Sequence, residues 1–175
     1  GINSEYSDYG GSFFGDKLVF ASARDTGGVS KNIFKWNNQS FTNLYASKIG
    51  LDNNLEAPKR FDNKINSKFH ESTPVFTKDG KTMYFTRNNF LDGKRGKDSK
   101  SVTLLKMYKS TLVDGQWANI AELPFNSDNY SVAHPALSLD EKTLYFASDM
   151  PGTLGQSDLF KVTINENGTY STTEN

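Results

Sequence analysis

Three copies of one sequence phrase run through this chain. Ile2-Asn3-Ser4 leads to Lys17-Leu18-Val19-Phe20-Ala21-Ser22, Ile65-Asn66-Ser67 to Thr82-Met83-Tyr84-Phe85-Thr86-Arg87, and Phe125-Asn126-Ser127 to Thr143-Leu144-Tyr145-Phe146-Ala147-Ser148. The Asn-Ser pairs begin at residues 3, 66 and 126, and the matched Phe residues stand at 20, 85 and 146, a period of about 60. A period of that length, with a shared internal order, is the mark of a repeat architecture whose units bury their faces against one another.

Each unit reads as four strands. In the second copy, Thr73-Pro74-Val75-Phe76-Thr77 is a short strand, Lys78-Asp79-Gly80-Lys81 a hairpin turn and Thr82 to Thr86 the returning strand. The third copy repeats this as Pro135 to Ser138, the turn Leu139-Asp140-Glu141-Lys142 and the Thr143 strand; the first uses Gly11 to Phe14 and the shorter turn Gly15-Asp16. Third strands follow at Asn43 to Ser47, Leu104 to Ser110 and Asp158 to Val162. Fourth strands follow at Ala57 to Phe61, at Trp117 to Ile120, and, only begun, at Tyr170.

This pattern predicts an all-β protein, a β-propeller segment of about three four-stranded antiparallel blades that form an incomplete ring. The 175 residues make a single propeller fragment, with repeats at about 2–62, 63–123 and 124–175, the last incomplete. The 13 Phe and 8 Tyr favour pleated strands over helices. The opening Gly1, where a start methionine would stand, and the strand-like ending Gly168 to Asn175 are expected of a piece of a longer chain. A ring could then be completed by further blades or by two copies of this chain.

Charge and composition narrow the function classes. Lys plus Arg and Asp plus Glu both number 20, so no dominant field attracts nucleic acid or an anionic membrane. No run of apolar residues reaches the roughly 20 needed to cross a bilayer as a helix, and the absence of cysteine excludes disulfides and thiolate metal sites. The charged stretch Asp92 to Ser101 reads as a solvated loop tip.

Catalytic signatures are missing. The chain has no Gly-x-Ser-x-Gly elbow, no phosphate-cradling glycine loop and no His-Glu-x-x-His helix. His70 and His134 fall at different places in the repeat and are expected to make structural hydrogen bonds. Asp16, Asp79 and Asp140 sit in hairpin turns, where Asp bonds its own backbone. Asp149 and Asp158 are oxygen donors of the kind calcium takes, but they lack the alternating acidic pattern of a dedicated loop. Glu71 and Asp149 are the carboxylates that would have to meet for acid–base work. No cofactor or metal is expected.

With these segments in view, the repeats resemble TolB-type, WD-like propeller repeats. More narrowly, Glu122-Leu123-Pro124-Phe125-Asn126-Ser127, Tyr130-Ser131, His134-Pro135-Ala136-Leu137-Ser138, Leu144-Tyr145-Phe146-Ala147-Ser148-Asp149-Met150-Pro151-Gly152 and Gly155-x-x-Asp158-Leu159 resemble the propeller of OmpA-family, peptidoglycan-associated proteins of Bacteroidota. The loop Gly152 to Ser157 departs from that family's Gly-Gly pattern ahead of the Asp-Leu strand.

The resemblance implies a non-catalytic protein-protein interaction module in the periplasm, held at the outer membrane. Its implied partner is a PorP/SprF-type barrel in type IX secretion or gliding motility, with peptidoglycan gripped by a domain outside this chain. The alternative is the propeller of a carbohydrate-active or peptidase-type enzyme. Residues on the rim after each second strand, Arg24, Asp25, Arg87, Asn88, Asp149 and Met150, are the expected contact surface. Trp36 and Trp117 join them as interface anchors, with packing between blades as the competing reading.

Overall fold

The computed structural model describes residues 1–24, 33–34, 39–67, 70–88, 90–91, 94–95 and 104–175. Among them there is no helix, hence none long and apolar enough to cross a membrane. The first sheet has β1 (Asp8–Phe14) and β2 (Lys17–Ser22), then a small ribbon of β3 (Ile33–Phe34) and β4 (Gln39–Ser40), then β5 (Asn43–Lys48) and β6 (Lys59–Arg60). Its strand order is β1-β2-β5-β6, every neighbour antiparallel. The second sheet has β7 (Glu71–Phe76), β8 (Thr82–Asn88), a ribbon of β9 (Phe90–Leu91) and β10 (Lys94–Arg95), then β11 (Leu105–Val113) and β12 (Gln116–Glu122). It runs β7-β8-β11-β12, again antiparallel throughout. The third has β13 (Val132–Leu137), β14 (Thr143–Ser148) and β15 (Asp158–Thr163), with Tyr170 and Glu174 bridging back to Ile164 and Lys161 where a fourth strand would lie.

Each sheet is thus a sequential meander, and the first strands β1, β7 and β13 pack side by side at the axis. The expected strands form, with boundaries moved for local reasons. The fourth strand of the first sheet shrinks from Ala57–Phe61 to two residues because Pro58 has no N–H to give to the ladder. Of the charged stretch Asp92 to Ser101, only Lys94 and Arg95 fall among the described residues.

The hairpin turns are built alike in copies two and three. The Asp79 carboxylate takes Lys81 N–H and Thr77 O–H at 2.9 and 2.7 Å, and the Asp140 carboxylate takes Lys142 N–H and Ser138 O–H at 3.1 and 2.6 Å. These bonds hold both Asp carboxyls below their usual range. Asp in these turns therefore does backbone work, as its position in the sequence predicts.

Two interfaces between sheets form the core. Val19, Ala21 and Leu44 of the first sheet meet Ile65, Met83, Phe85, Tyr108 and Trp117 of the second. Tyr84, Met107 and Leu123 of the second then meet Val132, Leu144, Phe146, Met150, Phe160 and Val162 around the third. Alternate residues of the central strands thereby cover opposite faces: Val19 and Tyr84 point forward to the next sheet, Met83 and Leu144 back to the one before.

The repeated Asn has a specific structural task. The Asn66 side chain accepts the N–H of Leu44 at 2.6 Å and donates to the C=O of the same residue at 2.8 Å. Asn126 does the same to Met107, at 2.9 and 2.7 Å. An amide group imitates a strand residue here, closing the open edge of the preceding sheet where its fourth strand has run out. We expect Asn66→Ala to destabilise the fold by about 1–3 kcal/mol, because the buried Leu44 N–H loses its partner while the Leu44 C=O keeps only the Phe61 N–H; urea denaturation measures it, and a change below about 0.5 kcal/mol would contradict the role.

Candidate functional site: the rim after the second strands

At this rim the chain leaves β2, β8 and β14, and in the first two copies it builds the same charged pit. Arg87 lies across the rings of Phe85 and Tyr108, with its guanidinium carbon 5.1 and 5.3 Å from their centres. Its Nε meets Glu71 Oε1 at 3.1 Å, and its terminal nitrogen donates to the Ile65 carbonyl at 2.7 Å. Arg24 lies across Phe20 and Tyr45, 5.3 Å from each centre, pairs with Asp8 at 2.8 Å and donates to the Ile2 carbonyl at 2.6 Å. Ser4 and Ser67 donate to the two carboxylates in turn. The Arg is thereby fixed on an aromatic floor, where stacking and charge act together.

The third copy fills the pit with oil. Phe125 stands where Ile2 and Ile65 stand, Val132 where Asp8 and Glu71 stand, and Met150 enters where Arg24 does. Ser22 Oγ accepts Arg24 N–H at 3.2 Å, and Ser148 Oγ accepts Met150 N–H at 3.1 Å, which sets this register. Phe125 stacks on Phe146, centroids 4.8 Å apart, and Phe146 on Phe160 at 6.1 Å.

The electrostatics of the two charged pits differ. Burial alone would raise the Asp8 carboxyl, but hydrogen bonds from Ser22, Arg24 and Ser4 outweigh it and hold it at about 2. Glu71 is fully buried, and that burial pushes its carboxyl up to about 7 against the pull of Arg87. Its hydrogen bonds among the described residues all fall on Oε1, while Oε2 is buried with no partner among them, which is the cost that burial imposes on the charged form. Burial also drives its neighbour His70 down to about 4; the ring accepts the Thr42 N–H through Nδ1 at 3.1 Å.

This geometry corrects much of the expected contact surface. Arg87 is buried in its pit, Met150 lies in the core of the third sheet, and Arg24 is largely covered by Asp8 and its aromatic floor. Trp117 is buried between the first two sheets, where its ring and those of Phe14, Phe61 and Phe76 all touch, centroids 4.8 to 6.1 Å apart. Packing between blades is therefore its role. Asn88 is half-buried and bonded to the His70 carbonyl, while Asp149 is exposed and accepts Ser131 N–H at 2.7 Å. Asp25 and Trp36 lie outside the described residues.

The acid–base pair considered from the sequence is not assembled as a working pair, since Glu71 is held inside the second sheet by Arg87 and Ser67. Asp158 closes its own loop, taking the N–H of Leu154 at 2.7 Å and the Asn175 amide at 3.2 Å, bonds that lower its carboxyl. Among the described residues no group of three His, Asp or Glu side chains is placed to hold a metal.

Beside Asp149 the rim opens into a recess of about 310 Å³, lined by Leu105, Ser131, His134, Gln156 and Ser157 among others. Its inner wall is formed by a bulge that recurs in every first strand, with Gly10, Thr73 and His134 at φ +68°, +42° and +60°. A Cβ on Gly10 would stand 3.0 Å from the Thr73 methyl, a tight approach at positive φ that glycine relieves. His134 donates its N–H to Thr86 Oγ1 at 2.9 Å. Sequence reasoning missed this recess because its lining is mostly small and neutral; the one visible signal was the unmatched position of His134 in the repeat.

No family model and no curated protein matches this chain. Among solved structures it is similar to one described as puromycin hydrolase, with a TM-score of 0.51 at 14% identity over 95% of this chain and 32% of the other. A mutant of that hydrolase complexed with PGG gives 0.49 at 13% identity, covering 95% of this chain and 32% of the other. A Mycobacterium tuberculosis puromycin-hydrolyzing peptidase gives 0.41 at 10%, covering 92% and 37%. This chain spans about a third of the length of those proteins. What the first similarity shows is the fold: the chain is part of a β-propeller, three blades around an axis lined by β1, β7 and β13.

His70 and Glu71 give the charged pit a pH signature. Stability from His70 is complete above its free value of 6.5 and is lost as pH falls toward 4. Stability from Glu71 is complete below 4.5 and is lost as pH rises through about 7. The two slopes oppose, so we expect His70→Gln to be most stable near pH 4.5 and Glu71→Gln to lose stability on acidification from pH 6.5. Urea midpoints across that range measure both, and parallel pH profiles for the two variants would contradict the assignment.

Proposed function

We propose that this chain is a non-catalytic protein-binding module: propeller blades of a periplasmic, peptidoglycan-anchored protein at the outer membrane. Its partner on this reading is a PorP/SprF-type barrel in a type IX secretion or gliding assembly. The string from Glu122 to Leu159, which resembles that family, supports the setting. The observation that carries the binding role is the division of labour at the rim. Glu71, Asp158 and His70 are committed to holding blades and loops together, while an open recess lined in part by Gln156 and Ser157, from the loop that also carries the exposed Leu154, offers apolar and neutral polar surface. A surface of that kind suits a polypeptide segment, which brings apolar side chains and backbone hydrogen-bonding groups together.

The competing reading is a propeller of a peptidase or carbohydrate-active enzyme, and one pair of measurements separates the two. We expect the immobilised protein to retain a barrel from detergent-solubilised outer membranes in stoichiometric amount, with Leu154→Glu and Gln156→Arg each weakening retention about tenfold or more. Turnover of peptides or glycans by the purified protein, or barrel recovery indifferent to both substitutions, would overturn the proposal.

A further inference from the structure

One place on the rim is filled at the first joint between blades and open at the second. Where the first blade meets the second, His70 Nδ1 accepts the N–H of Thr42, at the head of the third strand, at 3.1 Å. The His70 ring lies on that of Phe41, centroids 4.3 Å apart, and its carbonyl takes the N–H of Asn88 at 3.3 Å. Where the second blade meets the third, Ser131 Oγ accepts the N–H of Leu105 at 3.1 Å. Leu105 opens β11 as Thr42 leads into β5, so Ser131 stands where His70 stands, and Asp149 comes after β14 at the register where Asn88 ends β8. Between the two joints a ring is exchanged for a hydroxymethyl group and an amide for a carboxylate. The recess of about 310 Å³ opens at that exchange, with Ser131 and Asp149 in its wall.

This joint lies inside the chain. Leu105 belongs to the second blade, Ser131 and Asp149 to the third, and one line of hydrogen bonds joins them: Leu105 N–H to Ser131 Oγ, then Ser131 N–H to Asp149 Oδ1 at 2.7 Å. The site therefore depends on neither end of the sequence.

Charge and lining define the occupant. Asp149 is the one acidic residue in the lining, which includes no Lys or Arg, and no Lys or Arg among the described residues forms an ion pair with it. Elsewhere on this rim Asp8 and Glu71 each hold an Arg of their own blade, whereas the third blade has Met150 in its core and its carboxylate beside the recess. The bond from Ser131 fixes the Asp149 carboxylate, so it can receive a cation without first being ordered. Leu105 and Ala147 offer apolar walls to an alkyl stem, and Gln156 and Ser157 offer oxygen acceptors to further N–H groups. A guanidinium is flat, as the His70 imidazole is, and it presents a fork of donors to such a set.

We infer that the recess receives an arginine side chain of a partner polypeptide, its guanidinium paired with Asp149 and its stem against Leu105 and Ala147. The inference rests on the protein-binding reading above and adds the chemistry that the partner must present.

Titration of the isotope-labelled chain with acetyl-Gly-Arg-Gly-amide and with acetyl-Gly-Gln-Gly-amide, followed by NMR amide shifts, tests it. The arginine peptide is expected to shift the amides of Ser131, Asp149 and Ser157 saturably, and the glutamine peptide to bind about fivefold more weakly or not at all. Asp149→Asn is expected to weaken the arginine peptide about fivefold, whereas Glu166→Gln, at an exposed turn beyond the far end of β15, leaves it unchanged. Ser131→His recreates the filling of the first joint and is expected to abolish binding with an unchanged circular dichroism spectrum. Equal binding of the two peptides, or an Asp149→Asn chain that binds as the parent does, overturns the inference, whether or not Ser131→His folds. Barrel retention is read separately. A barrel held equally by the parent and by Asp149→Asn overturns the arginine assignment and leaves the binding module standing, while arginine-peptide binding with no barrel retained supports the site and removes the barrel.

Discussion

A four-stranded antiparallel sheet with apolar side chains on both faces is not stable on its own in water, and every other feature of this chain answers that constraint. Burying one large apolar side chain contributes roughly 1.5–3 kcal/mol, and each joint between blades buries about eight such residues or more. The faces are therefore what hold the molecule together. The polar devices at their margins, the Asn clamp and the Arg pit, determine where along the face each blade sits. A slip by one residue would turn every face inside out, because side-chain direction alternates along a strand. The clamp forbids such a slip by fixing one residue of the preceding sheet through both its N–H and its C=O.

The strands and their order were legible because alternation and the Asp turns repeat on a fixed period, and both act locally. Lys17–Ser22 and Thr143–Ser148 form where the sequence placed them. The Asn-Ser pair was visible as a repeated word, yet its task was not, since the residue it clamps stands 22 or 19 positions earlier in the chain. Trp117 shows the same limit. A lone Trp at the start of a strand looks alike whether it meets solvent or a neighbouring blade, and only the rings of Phe14, Phe61 and Phe76 decide.

The rim was the least legible part. Arg24, Arg87 and Met150 sit at the ends of equivalent strands, and aligned by position they suggest an exposed row. In space Arg87 enters its pit from the last turn of β8, while Arg24 and Met150 enter two residues later, after a Ser that catches the chain. Sequence spacing gave no way to see that the two Arg side chains turn in over their own aromatic rings and that Met150 joins the apolar core. The recess was hidden for the opposite reason: small neutral residues acquire meaning only from the shape that the His134 bulge creates around them.

One pit design with three fillings has an evolutionary consequence. Because an Arg–carboxylate pair in two copies and the apolar Phe125, Val132 and Met150 in the third stand within the same frame of strands, the filling is exchangeable without any change to the backbone that frames it. A lineage can thus retune the acid tolerance of one blade while its neighbours stay as they were, and a tandem array of such units can drift unit by unit. What the three blades share is a pair of neighbouring aromatic rings, Phe20 with Tyr45, Phe85 with Tyr108 and Phe146 with Phe160, whatever residue stands beside it.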